Sequence, residues 1–469
     1  MPTHHAVVLG GGLAGTLVAH ALAEHVDQVT IVERDDLPTG PEPRKGMPQG
    51  RHTHVFVEAG YTALEDLLPG ILAELRARGA RQLSHPDRIL MNGPQGWRHR
   101  LPAMAGVLSA SRALTDHAVR QRVLAHPRIT VAPPTTVVGL LGDRRRVSGV
   151  RLRDRGATDT RRLTADLVVD TTGRSTKTHT WLTELGMPPV HSASIDPGLR
   201  YATRVYQAPP TAPETFPIVL IQPDPTVRRS VAAMLTPIED HRWILTMVGP
   251  HHDPPPTDEA DIDAFLRSQR DPVIADLVAV ATPLTPLHGF ANTVNRRHYY
   301  ERTRSWPEGL LIAGDAYATF NPIYGHGMAV AAMTARALRD RWHRHHPLLP
   351  GACRRAQRHI ARVTRPAWQL ATAADLREPH TTTTGKPPGR LSRLQYAYMD
   401  RLFAALPGRP DLLRAQVRVL ALLDSPLRLF APGAALAVLR GPLDTALAEV
   451  PLTEEELRVL KPGDEFSGD

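Results

Sequence analysis

One cysteine, Cys353, occurs in 469 residues, so no intrachain disulfide can form and no cysteine-built zinc or iron–sulfur centre is available. Lysine is almost as scarce. Lys45, Lys177, Lys386 and Lys461 are the four lysines among 56 Lys and Arg, a skew that reads as the codon usage of a GC-rich genome. The formal charge is +9, but aromatics are 5% of the chain. The short clusters Arg144–Arg146, Arg161–Arg162 and Arg296–Arg297 have no interleaved rings, so nucleic acid is set aside as a partner. No run approaches the roughly 18 uninterrupted apolar residues of a membrane span, and no secretory leader pattern opens the chain. The expectation is a soluble cytoplasmic protein. Neither a G-x-S-x-G elbow nor a P-loop is found, which leaves hydrolase and kinase classes without their usual support.

What is there begins at residue 5. Ala6–Leu9 is a short apolar run, Gly10-Gly11-Gly12 follows, and Leu13, Leu17, Ala21 and Leu22 then recur at helical spacing up to His25. Val29–Val32 is β-branched and ends at Glu33. Gly10-x-Gly12-x-x-Gly15 thus sits between a strand and a helix, with Leu13 and Ala14 inside the turn. Glu33 closes the next strand beside Arg34, 18 positions after Gly15. A glycine turn lets backbone N–H groups approach a pyrophosphate at a helix N-terminus, and a carboxylate so placed accepts from ribose hydroxyls. An acid there favours an unphosphorylated ribose, as in FAD or NAD. Leu37–Gln49 carries four prolines and two glycines and reads as an irregular loop.

Helices are expected around 61–78, 111–125, 327–342, 352–376, 391–406, 411–424 and 433–440. Strands are expected at 129–131, 136–140, 147–152 and 165–170, and in a second block at 199–206, 216–222, 230–236 and 242–249. Thr381–Pro388 reads as a linker, and Leu412–Leu423 as a packed amphipathic helix rather than a membrane-surface one. Far downstream, Gly309–Ala313 is an apolar strand ending in Gly314-Asp315. Asn321-Pro322-Ile323-Tyr324-Gly325-His326-Gly327-Met328 then opens a small-residue helix. A strand-end carboxylate can bind a ribityl hydroxyl, and a glycine-opened helix N-terminus can stabilise negative charge on a flavin's N1–C2=O edge. No second GxGxxG follows a strand, so no separate nicotinamide domain is expected.

These features, with Asp170-Thr171-Thr172-Gly173-Arg174 closing a strand, resemble the FAD-dependent monooxygenases of the p-hydroxybenzoate hydroxylase fold. The segment Arg44-Lys45-Gly46-Met47-Pro48-Gln49-Gly50-Arg51-His52-Thr53-His54 is similar to the flavin-dependent epoxidases of polyether ionophore biosynthesis, the lasalocid and monensin enzymes. The likeness continues through Gly96–Arg100, Ser111–Leu114, Tyr201–Arg204, Asn295–Arg297 and Phe320–Met328, and thins beyond about 375. The resemblance implies an α/β (α+β) fold in which a Rossmann-like FAD-binding domain (1–185, with a β-rich insert near 80–105, and 291–375) is interleaved with an antiparallel-sheet substrate domain (186–290). A helical C-terminal region (376–469) follows.

It also implies antibiotic-type chemistry. FAD is held non-covalently, reduced by NADPH or NADH, and reacts with O₂ to a C4a-hydroperoxide that epoxidises alkenes of an apolar polyketide or polyene. The Gly10–Gly15 turn would hold the pyrophosphate and Glu33 the adenosine ribose. Arg34, Arg44, Lys45, Arg51 and Arg112 would lie along the cofactor, and Gly314 and Asp315 would contact its ribityl–pyrophosphate part. Pro322, Gly325, His326, Gly327 and Met328 would face the ring. The Asp170–Arg174 stretch departs from the family's middle fingerprint, lacking its Asp-Gly pair.

Such chemistry needs no protein nucleophile, only a water-free cavity. Tyr201, Thr203, Val219, Ile221, Met234, Leu245 and Met247 are candidates for its wall, plain core being the alternative. His326 either touches flavin or substrate or packs the turn. The groups His52-x-His54, His251-His252 and His343-x-His345-His346 read as polar-loop histidines, with no metal. Two other readings stay open: aromatic hydroxylation on the same flavin, for which no base is apparent, and a non-catalytic relative. A halogenase is disfavoured because Trp-x-Trp-x-Ile-Pro is absent, Trp243-Ile244-Leu245 being the nearest sequence.

Overall fold

The computed structural model describes residues 3–224, 230–378, 380–384 and 389–460. The first layer is a five-stranded parallel sheet in the order Leu310–Ile312, Leu167–Asp170, His5–Leu9, Gln28–Val32, Ile129–Val131. These strands are apolar runs because both faces are covered, so no face is left to alternate. On one face a three-stranded antiparallel sheet brings Val147, Val150 and Leu152 into the same core, and helices cover the other. Leu13–Ala23, Arg112–Leu124 and His326–Trp342 supply much of that cover. The mixed α/β architecture is the one expected.

The second layer is an eight-stranded, mainly antiparallel sheet. Thr282–Pro283, Leu199–Gln207, Arg242–Pro250, Ala232–Ile238, Ile218–Ile221, Ile89–Gly93 and Gly96–Trp97 are adjacent in that order, and His288–Phe290 pairs with Leu199–Gln207. Ile89–Gly93 runs parallel to Ile218–Ile221, so the sheet draws on the early part of the chain as well as on the block after 199. Its back packs Val219, Ile221, Leu235, Trp243, Leu245 and Met247 into a dry core with Phe216 and the helices Ile262–Arg267 and Val273–Ala279.

The stretch expected to be helical over 61–78 is two helices, Glu58–Leu67 and Ile71–Ala77, interrupted at Pro69-Gly70, where proline removes a donor and glycine leaves the helical region. The long helix Ala352–Asp375 leads to Arg390–Ala405, Pro410–Leu420 and Pro432–Arg440. These C-terminal helices share a core of Leu402, Leu406, Leu412, Leu413, Val417 and Val438, joined by Met104 and Ala105. Pro410–Leu420 buries its apolar stripe there, as expected of a packed helix. Residues 385–388 of the expected linker lie outside the described residues. No helix among the described residues is long and apolar enough to cross a membrane.

Candidate active site

The turn after the first strand is built by steric necessity. Gly10 has φ +98, and a Cβ there would meet the Thr171 carbonyl oxygen at 2.8 Å. Thr171 holds the turn from the neighbouring strand end, its hydroxyl donating to the Leu9 carbonyl at 2.7 Å. Gly15 lets the helix press onto the turn, since a Cβ would lie 1.9 Å from the Gly10 oxygen. Gly12 differs: an added Cβ meets nothing within 4 Å, and the helix Leu13–Ala23 has no side-chain cap. An open glycine at an uncapped helix N-terminus is a cradle for an anion.

Glu33 stands beside this turn with both carboxylate oxygens engaged. Oε2 accepts from the Gly11 amide at 2.8 Å and pairs with Arg44 Nη2 at 2.7 Å. Oε1 accepts from the amides of Arg34 and Asp35. Burial pushes this carboxyl up, but the Arg44 charge and hydrogen bond and the Gly11 and Asp35 amides outweigh it and hold it below the usual range. Arg44 also donates to the Gly11 carbonyl. Arg34 and Lys45 are exposed on the same rim.

The second stretch arrives at the same place. A Cβ on Gly314 would lie 2.7 Å from Ala14 Cβ, and one on Gly173 would lie 3.9 Å from Asp315 Cβ. Asp315 is half-buried. Burial pushes its carboxyl up against the opposing pull of Arg174, Arg112 and Arg296, an acid facing three cations. Arg112 donates to Asp116 at 2.7 Å and lies over the turn at Gly50. Arg51 is exposed, its guanidinium 3.5 Å from His288 Nδ1. Asp170 turns inward to accept from the hydroxyls of Thr172, Thr176 and Thr178, so it shapes the loop. The turn Pro322–Tyr324 ends at Gly325, and the helix from His326 carries Met328 buried and Gly327 with nothing within 4 Å of a built Cβ.

His326 is buried and its Nε2–H donates to the Leu420 carbonyl at 3.1 Å, while Nδ1 has no partner among the described residues. Burial holds its pKa at about 4, so it is neutral at pH 7. It lines a cavity of about 850 Å³ enclosed by the front of the eight-stranded sheet, the 322–326 turn and the C-terminal helices.

Tyr201 and Met234 line that cavity, and Thr203 shares their face. Val219, Ile221, Leu245 and Met247 do not: they face the dry core behind the sheet, and their neighbours Leu220, Thr246 and Val248 form the wall. Both faces of these strands are buried, so hydrophobicity carries no phase. The cross-strand register, Thr203 opposite Thr246 and Ala202 opposite Met247, sets which side looks inward.

Two groups escaped the sequence reading. His52 lies in a loop as expected but is buried against Phe290 and Tyr201 rather than exposed. Its Nδ1 bonds Thr203 at 2.7 Å, which continues to Thr246 and Thr53. Burial, with His288 and Arg51 nearby, lowers it to about 4. Asp375, at the end of its long helix, accepts from Tyr324 at 2.5 Å and from Asn321 at 3.1 Å, and also from Asn295. Tyr201 donates to Asn321 in turn. Burial raises Asp375 to about 6 against those hydrogen bonds. A titratable carboxylate therefore stands in the wall where no base was apparent. Sequence held one hint, the residue types of Asn321 and Tyr324, but not their common acceptor 51 positions on. Glu24, His25 and His343 bring three ligand-type atoms within 4.8 Å of one another at the far ends of the two helices that start at the site.

Residues 3–341 match the family model described as an FAD binding domain. The chain belongs to that family. Across 90% of its length and 90% of the other it is 30% identical to Protein Rv3254 of Mycobacterium tuberculosis. Among solved structures it resembles the flavin-dependent brominase Bmp2, with a TM-score of 0.63 at 15% identity over 93% of this chain and 98% of that one. It also resembles PqsL of Pseudomonas aeruginosa, described as a probable FAD-dependent monooxygenase. There the TM-score is 0.59 at 18% identity, over 80% of this chain and 97% of that one. The fold is that of flavin-dependent monooxygenases and halogenases. The open positions at Gly12 and Gly327, the uncapped helix and the Asp315 carboxylate fit FAD.

Proposed function

We propose that the protein is an FAD-dependent monooxygenase that epoxidises alkenes of a long, mainly apolar polyketide or polyene. The observation that carries this reading is the cavity of about 850 Å³, enclosed by apolar sheet and helix faces and reaching the 322–326 turn. Bound FAD, reduced by NADPH or NADH, would supply an electrophilic oxygen atom from O₂. The balance is alkene, O₂, NAD(P)H and a proton giving epoxide, water and NAD(P)⁺.

The chain's part is binding and exclusion. Gly12 and the N–H groups of Leu13, Ala14 and Gly15 would hold the pyrophosphate. Arg44 fills the Glu33 carboxylate, so a ribose hydroxyl would have to share or displace that ion pair. Asp315 would accept from the ribityl chain, and Gly325–Met328 would back the ring. Tyr201, Leu220, Met234 and Val248 would keep the double bond dry and close.

A second reading, hydroxylation of a phenol, is favoured by one observation, the Tyr324–Asp375 pair in the same wall. A carboxylate near pKa 6 can take a proton through a tyrosine from an acidic hydroxyl. Incubating the FAD-loaded protein with NADPH, NADH and O₂ against panels of polyenes and phenols, read by mass, separates them. Addition of one oxygen to polyenes supports epoxidation. Oxidation of phenols alone overturns it.

A further inference from the structure

Arg98 lines the cavity on the segment that follows the strand Ile89–Gly93. Its guanidinium reaches only neutral groups: Nη1 donates to Gln416 Oε1 at 3.1 Å and approaches Met91 Sδ at 3.6 Å. Among the described residues no carboxylate lies within ion-pair distance of it. The neighbouring cations are spoken for, Arg100 by Glu456 and Arg377 by Asp400. The acids that line the cavity, including Asp375 and Glu378, exert no resolved pull on Arg98. His85, held at about 3 by burial and then by the Arg98 charge, is neutral beside it. Arg98 is half-buried, and a charge drawn partly out of water without a partner loses hydration without return. Here a fork of N–H donors is left facing a largely apolar space.

We propose that Arg98 is the receptor for a carboxylate on the substrate, so that the ligand is an apolar-chain carboxylic acid rather than its ester, alcohol or amide. One guanidinium matches one carboxylate in charge and in two-point geometry. A phosphate monoester, near −2 at neutral pH, would need a second free cation, and the described residues of this wall offer none. Burial lowers the Arg98 pKa only to about 10, so it keeps its proton at pH 7. Gln416 orients the guanidinium from the helix Pro410–Leu420, tying the C-terminal helices to substrate recognition. The inference rests on the cavity being the substrate site.

Binding of cis-parinaric acid, a fluorescent polyene acid, and of its methyl ester to the FAD-loaded full-length protein tests it at pH 7.5. The acid is expected to bind at least tenfold more tightly than the ester. Arg98→Gln should reduce that ratio to within about twofold by weakening the acid alone, and Arg98→Lys should restore part of it. The wild-type comparison needs no variant to fold. Equal affinities in the wild type, or an unchanged preference in Arg98→Gln, would overturn the carboxylate assignment while leaving the cavity reading intact. Failure of both probes to bind the wild type would remove the cavity reading and this assignment with it.

Discussion

At single residues, the glycines of the first turn divide into two kinds, and the division is testable. Gly10→Ala forces a side chain into positive φ and onto the Thr171 carbonyl, which should cost about 1–3 kcal/mol of stability and lower the melting temperature with or without FAD. Gly12→Ala meets no protein atom, so the melting temperature of the FAD-free protein should stay within a degree or two. Its FAD affinity should fall at least tenfold by fluorescence titration. Equal FAD affinity in Gly12→Ala and wild type would remove the pyrophosphate from that cradle. His326 supplies a pH effect. The unfolded chain binds a proton near 6.5 and the folded site near 4, so stability is held above pH 6.5 and lost as pH falls towards 4. By pH 5 this group alone removes about 2 kcal/mol. In His326→Gln the decline in denaturant midpoint between pH 7 and pH 5 should be shallower, and an identical decline would show that His326 titrates in the fold as it does in the unfolded chain.

At the scale of elements, the 321–325 turn is held from below by the C-terminal end of Ala352–Asp375. Asp375→Asn replaces an acceptor-only group by one with a single acceptor oxygen, leaving at least one of Asn295, Asn321 and Tyr324 without its bond. The expected loss is about 1–3 kcal/mol, with a shift in the flavin absorbance spectrum as the turn relaxes. An unaltered spectrum would separate Asp375 from the cofactor. The strand–turn–helix at the start was legible in sequence because its glycines and Glu33 lie within one contiguous motif, and the apolar runs of the parallel sheet announce themselves by composition. The phase of Ile218–Ile221 and Arg242–Pro250 was not legible, since both faces are covered and only the pairing register separates Leu245 from Thr246. Asp375 and Arg98 were hidden for a different reason. Each acquires its chemistry from partners far away in the chain, Asn321 and Tyr324 for one and an absent counter-charge for the other.

At the scale of the whole molecule, a parallel sheet presents two separated chain segments, 10–15 and 314–328, on one side, and an antiparallel sheet with a helical roof encloses the space beyond. The contact of Gly314 with Ala14 joins what sequence holds 300 positions apart. One extended dinucleotide beneath both segments is the claim on which oxygen transfer depends. Diffraction from crystals of the protein grown with FAD measures it most directly. The account predicts pyrophosphate density over Gly12 and the isoalloxazine against Gly325–Met328, opening onto the cavity with Tyr201 and Met234. A flavin ring seated elsewhere, or a dinucleotide that avoids Gly12, would contradict it.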